Sequence, residues 1–411
     1  MELKLKHMVH GGACLARLDN GRFALVTGGI PGETVRADLK MKAGVMQGPV
    51  TEVLEADADR TEGSGHPGLD LAHVAYARQL QLKQAITDDA LGRAVPRGST
   101  VPAAAETTAS PREWEYRNTV QPAVSGAGLG YRLPGSHRVR VLGEDPTAFP
   151  AIREAWTTVV TAGLPKGVRE VVFRGNDAGE VLLALIASAS ARNYLDWAHG
   201  LTGSGITGVS HAEHDSRGRF RRGSERIAGR RRIRQQYGKF ELSLNAGSFA
   251  QPNPAAAGLL YLRLQELAGS GGVAHDLYAG SGGISFHLAE RYREVAAFEI
   301  DRTSVQRGRS DAERLGLGNV HFTGGDVKHG SFGAGADLIT VDPPRAGMGA
   351  PVRAAISGSD AARLIYVSCN PATWARDVAD FLKRGWQLSS VEPYDFYPHT
   401  HHVEVLSVLE R

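Results

Sequence analysis

Cysteine is nearly missing from this chain: 411 residues hold only Cys14 and Cys369. Two thiols cannot build a disulfide framework, a four-thiolate zinc site or a four-cysteine iron–sulfur cluster. Long hydrophobic runs are missing too, and the longest nearly apolar stretch, residues 181–191, is too short to cross a bilayer. Residues 1–20 are interrupted by Lys4, Lys6, His7 and His10 and lack the apolar core of a signal peptide. Charge of one sign does not dominate either, since 47 Lys+Arg face 44 Asp+Glu for a formal charge of +3. These absences argue against a secreted disulfide scaffold and a membrane span, and they point to a cytoplasmic protein, expected as a monomer. A hydrophobic fraction of 42% and a charged fraction of 22% exclude wholesale disorder. The 50 glycines follow no Gly-X-Y period and imply many tight turns.

The length calls for two or three domains. Residues 1–58 read as short strands (2–8, 22–26, 34–39, 48–55) punctuated by Gly11-Gly12, Asn20-Gly21 and Pro31-Gly32, the pattern of a small OB-like β-barrel. A polar linker over 57–68 precedes a helical pattern over 69–94, stopped by Pro96 and Gly98, and a loop over 96–110. Residues 114–244 carry mainly β signals (138–142, 168–174, 181–187) with one helix at 151–162. Within them, residues 217–234 hold nine arginines, which suit either a solvated loop or a phosphate contact. From Pro252 onward strands and helices alternate, the rhythm of an α/β fold with a Rossmann-like, doubly wound parallel sheet. The domains expected are thus 1–58, a central α+β domain 59–245, and 246–411.

The strand over 273–278 runs through Asp276-Leu277-Tyr278-Ala279-Gly280-Ser281-Gly282-Gly283 into a helix. Glycines at such a turn let a ligand approach the backbone at a helix N-terminus. Ser285 stands where the last glycine of a dinucleotide fingerprint would be, and no pyrophosphate cradle is evident. Glu299 ends the second strand, 19 residues after Gly280, where a carboxylate can accept from ribose hydroxyls; Asp326 and Asp342 follow the third and fourth. The joint spacing points to a bound nucleoside, and the missing cradle tilts the choice from NAD toward S-adenosylmethionine, while the plainer reading makes these acids helix N-caps. Cys369 closes the strand 364–368 just before a helix, where the helix dipole favours thiolate; inert packing is the alternative. Glu404 lies at the start of the last strand, in His399-Thr400-His401-His402-Val403-Glu404, and alone reads as a surface charge. The crowded histidines without partner thiols do not make a metal site, so none is expected.

Asp342-Pro343-Pro344-Arg345-Ala346-Gly347, Tyr366-Val367-Ser368-Cys369-Asn370-Pro371-Ala372-Thr373 and Pro398-His399-Thr400-His401-His402-Val403-Glu404 together resemble the RNA uridine-C5 methyltransferase family. Ser248-Phe249-Ala250-Gln251-Pro252-Asn253 and Tyr116-Arg117-Asn118 are similar to further family motifs, and residues 1–58 resemble its TRAM barrel. The resemblance implies a methyltransferase domain over 246–411, with S-adenosylmethionine contacted by Gln251, Asp276, Tyr278, Gly280, Gly282, Glu299 and Asp342, and less firmly by Asp326. It implies Cys369 as nucleophile and Glu404 as base, and it leaves Arg345 and His399 without a role. Relatives with the barrel often carry four cysteines for an iron–sulfur cluster, around 63–69 and near 143–145; this chain has none there, so no cluster is expected. RNA is the implied partner, 23S ribosomal RNA first and transfer RNA second. A cytosine-C5 methyltransferase or an RNA-binding chaperone without catalysis are the competing readings.

Overall fold

Strand Glu2–Met8 alternates exposed Glu2 and Lys4 with buried Leu3 and Leu5, the period-two pattern of a sheet with one face on a core. It pairs antiparallel with Ala13–Arg17 and Thr34–Ala37. Phe23–Thr27 pairs with Ala13–Arg17 and, in parallel, with Val45–Glu55, which returns to Thr34–Ala37. Five strands thus close on themselves, and closure removes the free edges. The small barrel expected at the N-terminus is present. Two strands were not foreseen, Ala13–Arg17 and Lys40–Lys42; the first has no β-branched residue and owes its state to pairing on both sides. Cys14 is a small buried core residue whose Sγ donates to the Gly29 carbonyl, and burial pushes its thiol up to about 12.

The computed structural model describes all residues but Arg97, Ala127 and Ser331; Arg97, in the loop expected over 96–110, therefore lies outside the described residues. The chain forms two compact units: Met1–Gly65 with Leu69–Ser110 and Val327–Arg411, and His66–Gly68 with Pro111–Asp326.

In the first unit, the helix Tyr76–Ala94 packs Leu82 and Ile86 into the barrel core beside Leu5, Val26 and Val35. It begins later than the expected residue 69, because 69–75 are spent on turns and on a bond from Leu71 N to the His399 carbonyl. The same unit holds Leu338–Val341 and Arg363–Ser368 in parallel, then Glu404–Glu410 antiparallel to Arg363–Ser368, then Gln387–Tyr394 antiparallel to Glu404–Glu410. Gln387–Tyr394, reached through helix Pro371–Lys383, runs in the same direction as Arg363–Ser368, so the parallel expectation fails only for the last strand, Glu404–Glu410. Residues 395–403 are too few for a helical crossover, so the chain must turn back antiparallel.

The second unit contains a sheet in the order Val139–Leu142, Gly128–Arg132, Ala123–Ser125, Val168–Gly175, Val181–Ala187, Gly208–Glu213, Glu225–Gly229. Val181–Ala187 is buried throughout, which explains its unbroken apolar run. Helix Pro150–Thr161 presses Ile152, Trp156 and Val159 onto that sheet, whereas helix Leu195–Gly203, unforeseen, buries only Ala198 and Leu201. The unit also carries the parallel strands Gly271–Leu277, Tyr292–Glu299 and Val320–Gly324, linked through helices Gly283–Ala289 and Arg302–Leu315. The expected Rossmann-like α/β class is borne out.

Candidate active site

In the second unit, the strand Gly271–Leu277 passes into helix Gly283–Ala289 through a turn with three left-handed residues: Tyr278 (φ +63°), Gly280 (φ +56°) and Gly282 (φ +97°). Gly280 N donates to Glu299 Oε2 at 2.9 Å, and Glu299 Oε1 accepts from Asp301 N at 2.7 Å. The structure therefore brings Gly280 and Glu299 together as the spacing implied. A Cβ on Gly280 would meet open space, whereas one on Gly282 would strike the Phe322 and Phe286 rings at 2.7 and 2.8 Å. Gly280 leaves room above the turn, and Gly282 permits the packing beneath it.

Asp276 is fully buried, and its Oδ2 accepts from Ser285 Oγ at 2.5 Å. The serine in place of a fingerprint glycine thus holds the acid that opens the turn. The cap at the head of Arg302–Leu315 is none of Asp276, Glu299, Asp326 and Asp342 but Asp301, which accepts from Thr303 N and Ser304 N. Gln251 is buried and its carbonyl accepts from the Tyr237 hydroxyl; Asp326 follows strand Val320–Gly324, half-buried. Sequence reasoning missed Arg307, a buried guanidinium that donates to Ser281 Oγ at 3.1 and 3.2 Å. Its signal was an arginine six residues past the Asp301 cap and one turn past Ser304, whose Oγ it also reaches.

The reactive groups gather in the first unit. The last ladder pair between Arg363–Ser368 and Glu404–Glu410 sets Ser368 against Val405, so extending the register by one sets Cys369 against Glu404. Asp342, at the end of Leu338–Val341, and Arg345 act electrostatically on both. Glu404 is fully buried and its Oε2 has no hydrogen-bond partner; burial first, then Asp342, raises its pKa well above the ordinary carboxyl range, with Arg345 opposing. Glu404 is therefore not a surface charge.

Cys369 is half-buried, and burial, then Glu404 and Asp342, push its thiol up to about 11, while Arg345 pulls it down. The expected dipole-favoured thiolate is corrected. Asn370 Oδ1 already accepts from Ala372 N and Thr373 N at the head of Pro371–Lys383, so those donors are spent on the cap, and two carboxyl groups face the sulfur.

Helix Pro371–Lys383 also holds the segment after Asp342. Asn370 Nδ2 and Thr373 Oγ1 donate to the Arg345 carbonyl at 3.1 and 3.0 Å. Buried Asp377 accepts from Met348 N at 2.8 Å and from the Tyr366 hydroxyl at 2.9 Å, and pairs with Arg353. These supports were not singled out in the sequence, because they act through backbone carbonyls and amides that no motif spells.

Elsewhere the phosphate reading of the arginine run is weakened: Arg217, Arg219, Arg222 and Arg230 pair with Asp215, Glu170, Glu213 and Glu180. His66 lies 3.7 Å from Asp145, which also accepts from the Tyr131 and Thr147 hydroxyls. Among the described residues no His, Cys, Asp and Glu group of three or more is arranged to hold a metal, and no helix is long and apolar enough to cross a membrane. A cavity of about 270 Å³ lined by Tyr116, Phe149 and Leu259 includes none of the expected site residues.

Residues 326–411 match the model of the tRNA (Uracil-5-)-methyltransferase family. The chain is 29% identical to an uncharacterized RNA methyltransferase of Halalkalibacterium halodurans, covering 100% of this chain and 96% of that one. It is also 29% identical to an uncharacterized RNA methyltransferase of Thermosynechococcus vestitus, covering 100% and 97%. The crystal structure of Pyrococcus abyssi tRNA (uracil-54, C5)-methyltransferase in complex with S-adenosyl-L-homocysteine is similar over 100% of both chains, with a TM-score of 0.79 and 22% identity. The resemblance read from the C-terminal motifs is borne out by the family match, which contains Asp342, Cys369 and Glu404.

Proposed function

We propose that this protein transfers a methyl group from S-adenosylmethionine to C5 of a uridine in RNA. The observation that carries the reading is the register that sets a half-buried thiol, Cys369, against a fully buried carboxyl, Glu404, with Arg345 acting on both. Uracil C5 is a poor nucleophile. Attack of the Cys369 sulfur on C6 forms a C6–S bond and moves the ring electrons toward C5 and O4, so that C5 can accept a methyl group. When bound, S-adenosylmethionine supplies that methyl group from its sulfonium. Glu404 then takes the C5 proton; the C5–H electrons restore the C5=C6 bond, the C6–S bond breaks, and the thiolate leaves.

The raised Glu404 pKa makes its ionised form a stronger base than a solvated carboxylate, and it is that ionised form that takes the C5 proton. The raised Cys369 pKa means that the thiol must give up its proton, to solvent at this half-buried position, before the sulfur attacks, with Arg345 opposing the two carboxyl groups. The open space over Gly280, the Glu299 carboxylate beside it and buried Asp276 fit the methyl donor; Gln251, Tyr278, Gly282 and Asp342 complete the proposed set, with Asp326 a weaker member. A uridine in folded RNA would have to be unstacked and flipped to reach a thiol. The barrel suits single-stranded RNA, and ribosomal RNA is the expected substrate. Transfer RNA is the second reading, supported by the likeness to the Pyrococcus abyssi enzyme along its whole chain.

Cys369→Ala is expected to abolish methyl transfer while leaving S-adenosylmethionine binding unchanged, and Glu404→Gln to accumulate a denaturation-stable protein–RNA adduct. An active Cys369→Ala protein overturns the reading. Mapping 5-methyluridine in ribosomal and transfer RNA from cells with and without the gene decides the substrate.

A further inference from the structure

One oxygen of the Glu404 carboxyl, Oε2, has no hydrogen-bond partner, and Glu404 is the first residue of Glu404–Glu410, so the backbone leading into that strand bears on where the carboxyl sits. That backbone, residues 395–403, is irregular, with His399 in the left-handed region at φ +65°. A non-glycine residue there persists only when its surroundings hold it.

What holds it is the polar face of one segment, residues 70–83. Lys83 Nζ donates to Asp395 Oδ1 at 2.5 Å and to the Tyr397 carbonyl at 3.1 Å. One turn earlier on the same helix, Gln79 Oε1 accepts from His399 N at 2.8 Å, while its Nε2 bonds the Val74 carbonyl and His399 Nδ1 at 2.9 and 3.1 Å. Leu71 N donates to the His399 carbonyl at 2.9 Å, and Asp70 accepts from His401 N at 3.1 Å. Residues 395, 397, 399 and 401 are therefore all tethered.

Gln79, Lys83 and Asp395 are fully buried. A buried ion pair is a poor route to stability, because well-packed apolar residues of the same volume hold a fold at least as well. In some folds such groups instead fix a single arrangement of the backbone they bind. We infer that Gln79 and Lys83 are positioning residues that fix the 395–403 connection and thereby aim Glu404 at the C5 proton. This rests on the proposed role of Glu404.

The test uses the full-length protein carrying Lys83→Met, Gln79→Leu or the pair Lys83→Met/Asp395→Leu, with Glu404→Gln alongside, and RNA tritiated at uridine C5. Expected for each of the first three is tritium release slowed about 10- to 100-fold, the scale of a misplaced catalytic group, with covalent adduct accumulating and S-adenosylmethionine affinity unchanged. The double variant removes both buried charges, so it is expected to recover stability in urea without recovering tritium release. Turnover that falls only in proportion to the folded fraction, or that returns with stability in the double variant, overturns the inference. If Glu404→Gln accumulates adduct and the helix variants do not, the inference alone fails. If Glu404→Gln accumulates none, the reading of Glu404 fails and this inference falls with it.

Discussion

Two glycines of one turn, Gly280 and Gly282, are expected to respond to alanine in opposite ways. At Gly282 the backbone is left-handed at φ +97°, and an added Cβ would lie 2.7 Å from Phe322 Cζ and 2.8 Å from Phe286 Cζ. The Phe322 ring also packs closely on Gly308, where an added Cβ would lie 2.3 Å from its Cζ. Left-handed strain of about 1–2 kcal/mol adds to overpacking of about 1–3 kcal/mol, so Gly282→Ala should cost about 2–5 kcal/mol. At Gly280, φ is +56° and no atom lies within 4 Å of the added carbon, so only the strain of about 1–2 kcal/mol applies. Urea unfolding followed by circular dichroism reads the stability, and calorimetry reads S-adenosylmethionine binding. Gly282→Ala should lower the midpoint most and lose binding only as it loses folded protein. Gly280→Ala should stay folded yet bind the donor far more weakly, because its methyl occupies the space the donor would enter. A Gly282→Ala protein as stable as wild type refutes the packing argument, and a Gly280→Ala protein with wild-type affinity refutes the placement of the donor.

Two further outcomes follow from the same geometry. Burial and Asp342 raise the Glu404 pKa above its ordinary 4.5, so the folded protein keeps a proton that the unfolded chain releases. The resulting stabilisation is full below that ordinary value and is lost as pH rises through the folded pKa, at about 1.4 kcal/mol for each unit of difference. Glu404→Gln should therefore gain stability on wild type as pH rises from acidic to alkaline, and parallel pH curves in urea melts would contradict this. Asp301→Ala removes the cap that accepts from Thr303 N and Ser304 N, and should lower stability by about 0.5–2 kcal/mol. Asp301→Asn should restore most of that loss, and an unchanged midpoint for the alanine variant would contradict the cap.

The alternation of strands and helices after residue 252 is local information. Apolar spacing, glycine stops and Asn or Asp caps each act within one turn or one pleat, and the helices Pro254–Ala268, Arg302–Leu315 and Pro371–Lys383, each headed by an Asn or Asp cap, belong to that alternation. The Gly280 turn and its Glu299 partner were legible for the same reason, one strand and one helix apart. Helix Leu195–Gly203 and strand Ala13–Arg17 were not, since both owe their state to neighbours rather than to their own pattern. The direction of the last strand depended on how few residues join it to the one before.

The ionisation of the reacting groups was decided by tertiary structure alone. Near Cys369 the sequence shows a helix start and suggests a thiolate; folding assigns that helix start to Asn370 and brings Glu404 and Asp342 to the sulfur, and its proton is held more tightly. The arginine run reads as free positive charge, yet Glu170, Glu180, Glu213 and Asp215 fold back to meet it. Lys83 and Asp395 stand 312 positions apart, and nothing in either neighbourhood announces the other. Residue types, spacing and turn chemistry travel with the chain. Burial, pairing across hundreds of residues and the proton affinity of a buried acid exist only once distant segments exclude water from one another.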